Sequence, residues 1–346
     1  MKAIAQRRDT TTVETLTGTV LCHDVRDAAG KIVGSKGARL DAASASAVLA
    51  APWDEVHLLA MEPGDLHEEE AGGRLARAVI GEGVEVKGYT GGQWTLAATR
   101  RGLLSIPREA LVAVNVQEGV SVFTLFDGQP VEPGETVGKA KVTPLVIAEQ
   151  TIVSVERTAR AARGLLAVKS FRPMTVGAVA RENLDAKQRA RFESALKQKI
   201  DWFGGRLPPI RYAGSSPRAV ADELLALRRE GAEVLIVAGA SALDPLDPVF
   251  GGLELLGARM ERHGAPAHPG SLLWVARWEG VPVLGMPTCG MFSQATTFDL
   301  VLPRILTGES IGNRDLAELG HGGLLSREMA YRFPPYRASA ARGELE

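Results

Sequence analysis

The chain has 346 residues, enough for two or three domains of ordinary size, and its composition, 45% hydrophobic and 23% charged, is that of a globular protein. A formal net charge of −1 excludes the basic character of a nucleic-acid binder, and no apolar run approaches the roughly 20 residues that span a bilayer. With two cysteines, Cys22 and Cys289, and a charged N-terminus that no apolar stretch follows, the sequence reads as cytoplasmic, without a membrane partner.

Residues 16–25 read as a strand, with Gly30, Gly34 and Gly37 marking the turns after it. Asp41 opens a short Ala-rich helix that ends before Pro52, and 55–60 alternates like a strand. Asp65 and Glu68 stand at capping-box spacing ahead of a helix to about Ile80. His67 beside Glu68, Glu69 and Glu70 has the residue types of a metal site, but an acidic first turn facing the positive end of the helix dipole explains it more simply. Cys22, His23 and Asp24 have no second cluster at ligand spacing and read as ordinary strand residues. From Val84 short β-rich runs alternate with Gly and Pro, with turns at Asp127-Gly128 and Glu132-Pro133-Gly134. A β-rich module at 84–165 is therefore expected after an α+β region at 1–83. It shows no hairpin-tip lysine for lipoyl or biotin attachment. The basic stretch 158–164 reads as a connector.

From Arg172 strands and helices alternate. Residues 174–180 form a strand ending at Arg181, Glu182 and Asn183. The next helix places Phe192, Leu196, Ile200 and Phe203 on one buried face, and Lys187, Arg189, Arg191, Lys197 and Lys199 on a solvated one. A strand at 207–213 precedes a helix that Ser216-Pro217 opens and Gly231 ends. Residues 233–238 are a run of Val, Leu and Ile too short for a helix, the pattern of a strand buried on both faces. It breaks at Gly239, Ala240 and Ser241, where small residues let backbone N–H groups approach a ligand. Asp247-Pro248 then opens a helix as N-cap and first-turn proline. Strands at 272–278 and 281–286 form a hairpin through Glu279-Gly280, and a helix runs from near Ser293 to Gly308 with a kink at Pro303. Residues 311–346 read as a tail. In an open α/β sheet the strand ends near 239 and 287 are where ligands bind. Ser241, Asp244 and Asp247 there are either turn and capping residues or ligand contacts.

Taken together, 172–310 resembles the molybdopterin-binding fold of molybdenum-cofactor biosynthesis, the family of the molybdopterin adenylyltransferases, the molybdotransferases and gephyrin. The stretch VLIVAGASALDPLD stands where that family has a strand, a Gly-Gly-x-Ser or Gly-Gly-Thr-Gly loop and a downstream Asp. His268-Pro269-Gly270-Ser271 stands for its Lys-Pro-Gly-Lys, and GMPTCG at 285–290 for its Gly-Leu-Pro-Gly-Asn-Pro. Upstream, 16–170 is similar to the extra domains of the molybdotransferase-like members. The resemblance implies an α/β chain whose C-terminal half is a three-layer α/β/α domain, preceded by a β-rich N-terminal region. It implies a phosphorylated pterin, molybdopterin or its adenylylated form, bound by Glu182, Gly239, Ala240 and Ser241, by His268, Pro269, Gly270 and Ser271, and by Pro287, Thr288, Cys289, Gly290 and Ser293. Asp244 and Asp247 are the implied catalytic carboxylates and the implied ligands of Mg²⁺, in a reaction resembling molybdate insertion. A homodimer and contacts with other proteins of that pathway are implied too.

This chain departs from the family's pattern. The first loop glycine is Ala238, the loop from Ser241 to Asp247 is one residue longer, both lysines around Pro269-Gly270 are absent, and Thr288-Cys289-Gly290 replaces Gly-Asn-Pro. Arg181 and Arg277 are the cations available to stand in for the lysines. Two other readings remain open: a non-catalytic molybdopterin carrier or sensor, and a related pterin or nucleotide pyrophosphatase of the competence-damage type. Cys289 is a reactive thiol or an incidental one.

Overall fold

A computed structural model of the chain describes residues 1–181, 184–292 and 295–336, and divides it into two compact units. The first takes Met1–Arg100, Ser105–Leu125 and Pro133–Val168; the second takes Arg101–Leu104, Phe126–Glu132 and the chain from Lys169 onward. No described helix is long and apolar enough to cross a membrane.

In the first unit, strands Lys2–Arg7 and Glu55–Ala60 pair antiparallel, and helix Ala42–Ala50 begins where Asp41 accepts a hydrogen bond from the Ser44 N–H at 2.8 Å. Leu16, Leu21, Val48, Val56 and Leu58 form their core. The β-rich stretch is a four-stranded antiparallel sheet in the order Val120–Thr124, Thr136–Val142, Gln93–Ala98, Val84–Thr90. Helices α1 (Glu68–Val79) and α2 (Glu149–Ala161) pack on one another beside it. The basic stretch at 158–164 is thus the end of α2 and the turn after it.

Two readings of this region are corrected. Residues 16–25 are not one strand: Thr12 caps a helical turn at Val13–Leu16, Gly18 turns the chain at φ 84°, and only Val20–Leu21 and Val25–Arg26 are extended. Asp65 does not cap α1, because it lies in a strand, Asp65–His67, paired with Val146–Ala148, and accepts from the Glu62 N–H and the N-terminal ammonium. His67 caps instead: its Nδ1 accepts the Glu69 N–H at 3.3 Å while Nε2 contacts the Gly37 carbonyl at 2.7 Å. Both ring nitrogens of His67 are thus engaged, and Glu68, Glu69 and Glu70 form the acidic first turn of α1.

The second unit is built on a six-stranded sheet. Its strands are β1 (Val176–Ala180), β2 (Arg211–Tyr212), β3 (Val234–Ala238), β4 (Arg259–His263), β5 (Trp274–Trp278) and β6 (Val281–Met286), in the order β2-β1-β3-β6-β5-β4. The first four in that order are parallel, and β5 and β4 are antiparallel additions. Alternate residues point to opposite faces, so two cores form. Val176, Ala178, Val234, Ile236 and Leu284 meet Phe192, Leu196 and Ile200 of α3 (Ala186–Trp202) and Phe298 and Leu302 of the helix Thr297–Leu306. Val179, Leu235, Val237 and Val283 meet α4 (Pro217–Arg229) and α5 (Pro248–Leu255). Each such side chain, fully buried, contributes about 1.5–3 kcal/mol, and β3, buried at every position, explains why its run is continuous rather than alternating. Gly285 lies opposite Trp274, and a Cβ there would meet the indole at 2.0 Å, so only glycine fits.

A short helix, α6 (Thr288–Phe292), precedes the helix expected from near Ser293, α7 (Thr297–Leu306), which starts later because Thr296 and Asp299 make a capping box. The strand at 207–213 is only Arg211–Tyr212. Lys199, expected on the solvated face of α3, is 2% exposed: its ammonium pairs with Asp299, which is itself buried. Tyr336 donates to the same carboxylate at 3.2 Å, and burial, then Asp299, keeps that phenol protonated well above its usual range.

Candidate functional site

Register assembles the site. Ala180 of β1 lies beside Ala238 of β3, which lies beside Met286 of β6. The residues that leave these strands, Arg181, Gly239 and Pro287, therefore emerge side by side at the carboxyl edge of the sheet. Gly239 turns the chain at φ 80°, a conformation that favours glycine. The loop then folds through two turns, with the Asp244 N–H donating to the Ser241 carbonyl at 3.0 Å and the Asp247 N–H to the Asp244 carbonyl at 3.1 Å.

Asp247 staples this loop to the scaffold. It is 1% exposed. Its Oδ1 accepts the Val249 N–H at 2.9 Å, capping α5, and its Oδ2 accepts the Ser241 N–H at 2.9 Å and the Arg181 guanidinium at 2.5 Å. Sequence reasoning named Arg181 only as a stand-in cation and missed this pair. The pairing leaves the Arg181 Nε buried with no acceptor among the described residues. A buried, orphaned donor on a cation costs free energy unless something accepts from it.

Tyr212, next to Ala180 at the end of β2, adds an aromatic wall. Burial, and then its hydrogen bond to Glu193 at 2.8 Å, push its phenol up to about 12, and the Arg189 guanidinium lies 4.3 Å from its ring centre. On the other side of the loop a cavity of about 640 Å³ lies between α5 and β4, lined by Pro245, Phe250, Leu253, Met260 and His263 among others. His263 belongs to a strand the sequence did not reveal; its Nε2 lies 2.6 Å from the Ala242 carbonyl and its ring 5.0 Å from that of Phe250.

Residues 268–271 reach the site through α7. The Thr297 N–H donates to the Pro269 carbonyl at 2.9 Å, the Thr297 hydroxyl to the Ala267 carbonyl at 3.0 Å, and a Cβ on Gly270 would strike the Thr297 backbone. The His268–Pro269 peptide is cis, and the His268 and Ser271 side chains are exposed. Pro287 is buried, Thr288 opens α6, and the Gly290 N–H is taken by the Pro287 carbonyl at 2.7 Å. Glu182 and Ser293, with the side chain of Cys289, lie outside the described residues.

The structure thus brings Arg181, Gly239, Ala240, Ser241, Asp247 and Pro287 together, and holds 268–271 against the helix that follows α6. It does not bring Asp244 into line with Asp247. Asp244 is exposed, and its Oδ1 accepts the Leu246 N–H of its own loop at 2.9 Å. Among the described residues no group of three or more His, Cys, Asp and Glu side chains is placed to hold a metal ion. The pair does not fit Mg²⁺: three donors, one of them a guanidinium, already occupy the Asp247 carboxylate, and Mg²⁺ demands near-octahedral oxygen ligands. Arg277 is not at the site either. It faces Pro282 at the far end of β6, bonded to Ser310 at 2.8 Å and to the Gly280 carbonyl at 3.1 Å.

No family model and no curated protein matches the chain. Among solved structures it has a distant structural similarity to the molybdopterin biosynthesis MoeA protein from Pyrococcus horikosii, at 15% identity and a TM-score of 0.30, over 72% of this chain and 80% of that one. It is also similar to the CinA protein from Thermoplasma acidophilum, of unknown function, at 10% identity and a TM-score of 0.28, over 34% of this chain and 89% of that one. Both likenesses are of broad fold only and carry no residue-level argument.

Proposed function

We propose that the second unit binds a phosphorylated pterin of the molybdopterin type at the carboxyl edge of β1, β3 and β6, and that 172–310 is a molybdopterin-binding α/β/α domain preceded by accessory regions at 1–83 and 84–165. The observation that carries this reading is Arg181: a cation tied to the loop through the buried Asp247 carboxylate, with an Nε that has no acceptor among the described residues. A phosphate offers that acceptor, and its charge suits both the guanidinium and the N–H groups of a small-residue turn. Phe250 and His263 beside the loop offer flat faces for a heteroaromatic ring.

Asp247 acts in this reading by positioning Arg181 and closing the loop, not by holding Mg²⁺, and no Mg²⁺-dependent step is assigned to it. The lysines of the resembled enzymes stabilise charge that develops at a reacting centre. Their replacement by His268 and Ser271 removes interactions made in the transition state and leaves ground-state binding intact. The protein is therefore a cytoplasmic binder or carrier of the pterin, working beside other proteins of cofactor synthesis, with turnover well below that of a molybdotransferase.

The test is calorimetric titration of the folded chain with molybdopterin. Ser241→Glu, which sets a carboxylate beside the phosphate, is expected to abolish binding, and Arg181→Gln to weaken it about tenfold or more. Unchanged affinity in a folded Ser241→Glu variant removes this loop from the site. A nucleotide bound in preference to the pterin overturns the ligand class.

A further inference from the structure

The first unit holds a cavity of about 410 Å³ beside α1 and α2 and the turn after α2, lined by Arg74, Arg77, Arg160 and Arg163, with Glu156 as the acidic side chain in its wall. We propose that it binds a compact multivalent anion, a phosphate or pyrophosphate group, free or carried by a nucleotide. The proposal is independent of the pterin site.

One arginine is fixed and three are not. Arg74 grips both oxygens of Glu156, at 2.8 and 3.0 Å, and reaches Glu149 at 2.6 Å. That fork takes both oxygens of the carboxylate in the wall, whose charge also attracts Arg160 and Arg77 at longer range. Arg77, Arg160 and Arg163 are exposed, and their guanidinium groups have no hydrogen-bonded acceptor among the described residues. Three such cations around one cavity repel one another, and a shared anion removes that repulsion. The planar fork of arginine suits phosphoryl oxygens.

Helix dipoles give a simpler reason for arginines at helix ends, but the hydrogen bonds here favour the anion. The last carbonyls of α2 are already satisfied by backbone: the N–H groups of Ala162, Arg163 and Gly164 donate to Thr158, Arg160 and Ala159. Those of Leu165 and Leu166 both donate to Val79, at the end of α1. Both caps are made by backbone N–H groups. The turn that carries Arg163 is also fixed. Arg163 has φ 59°, uncommon for a residue with a side chain, and Gly164 lies so close to Gly81 that a Cβ would approach its backbone to 2.7 Å. The cations are thus presented from rigid backbone, which lowers the ordering cost of binding.

Calorimetry of the full chain with sodium pyrophosphate at low ionic strength tests this. Saturable binding is expected, weakened about tenfold by each of Arg77→Ala and Arg160→Ala and reduced by added salt. Lys187→Ala, on the exposed face of α3 in the other unit, is expected to leave it unchanged. Arg163→Lys keeps the charge and loses the fork, and an intermediate affinity supports bidentate recognition; the variants' thermal midpoints must match the parent's. ADP bound more tightly than pyrophosphate identifies a nucleotide as the source, and equal affinity identifies the free anion. Absent binding, binding whose affinity is unchanged in Arg77→Ala/Arg160→Ala, or binding lost in Lys187→Ala overturns the proposal. So does a polyglutamate peptide that binds where pyrophosphate fails.

Discussion

Replacing Lys199 by Met tests the core of the second unit. Lys199 and Asp299 are both buried, and the ammonium is one of four donors on that carboxylate: Oδ1 also accepts from Tyr336 at 3.2 Å, and Oδ2 from the Thr296 N–H at 3.0 Å and hydroxyl at 2.9 Å. Removing one partner of a buried ion pair typically costs about 3–5 kcal/mol, because a charge is left without its counter-charge. Three donors remain on Asp299, so the low end applies, about 3 kcal/mol, or roughly a hundredfold in the unfolding equilibrium. Lys199→Met/Asp299→Asn, which removes both charges, is expected to recover most of that loss, since a buried pair is often worth little more than a neutral replacement. The assay is urea-dependent amide hydrogen exchange in α3 and α7, which isolates this core from the first unit. A single-variant loss below about 1 kcal/mol, or a double variant no better than the single, refutes the argument.

Gly285→Ala is expected to destabilise the second unit by about 1–3 kcal/mol, since the new methyl meets the Trp274 indole; an unchanged unfolding midpoint would contradict the packing. Arg74, and against it burial, sets the Glu156 carboxyl below its ordinary range, so that carboxylate stabilises the fold above about pH 4.5 and the gain fades as pH falls below it. Arg74→Ala is expected to flatten that acid limb of the stability curve, and a limb as steep as the parent's refutes the pairing. The chain is expected to form a homodimer, and a monomeric mass by light scattering at micromolar concentration rejects it.

Local signals were legible where the chemistry is local. The buried run of β3, the strand at Glu55–Ala60, the caps at Asp41, Ser216 and Asp247 and the apolar face of α3 all depend on neighbours within a few residues. What stayed hidden depends on distant partners. Lys199 has the spacing of a solvated lysine, and only the arrival of Asp299, one hundred residues later, gives it a reason to be buried. Asp65 has capping-box spacing, but an ammonium from the chain terminus and a strand partner at Val146–Ala148 claim it first. β4 reads RMERH, too polar to announce a strand, because it is an edge strand with its residues partly or fully exposed. Arg181 and Asp247 stand sixty-six residues apart, and parallel register alone brings them together.

That pairing also decides how the aspartates of the loop are used. A carboxylate buried to 1% exposure is tolerated only if its oxygens are satisfied, and Asp247 achieves this with two backbone N–H groups and a guanidinium. A divalent cation at the same oxygens would have to displace Arg181, the cation that the proposed function assigns to the phosphate. Asp244 is not joined to Asp247 as a second ligand: it is exposed, and its Oδ1 accepts the Leu246 N–H of its own loop. Anion binding and metal binding therefore compete for one side chain. In the proposed function the loop geometry favours the anion over the metal, so affinity for a phosphorylated ligand would not require lysines at positions 268 and 271.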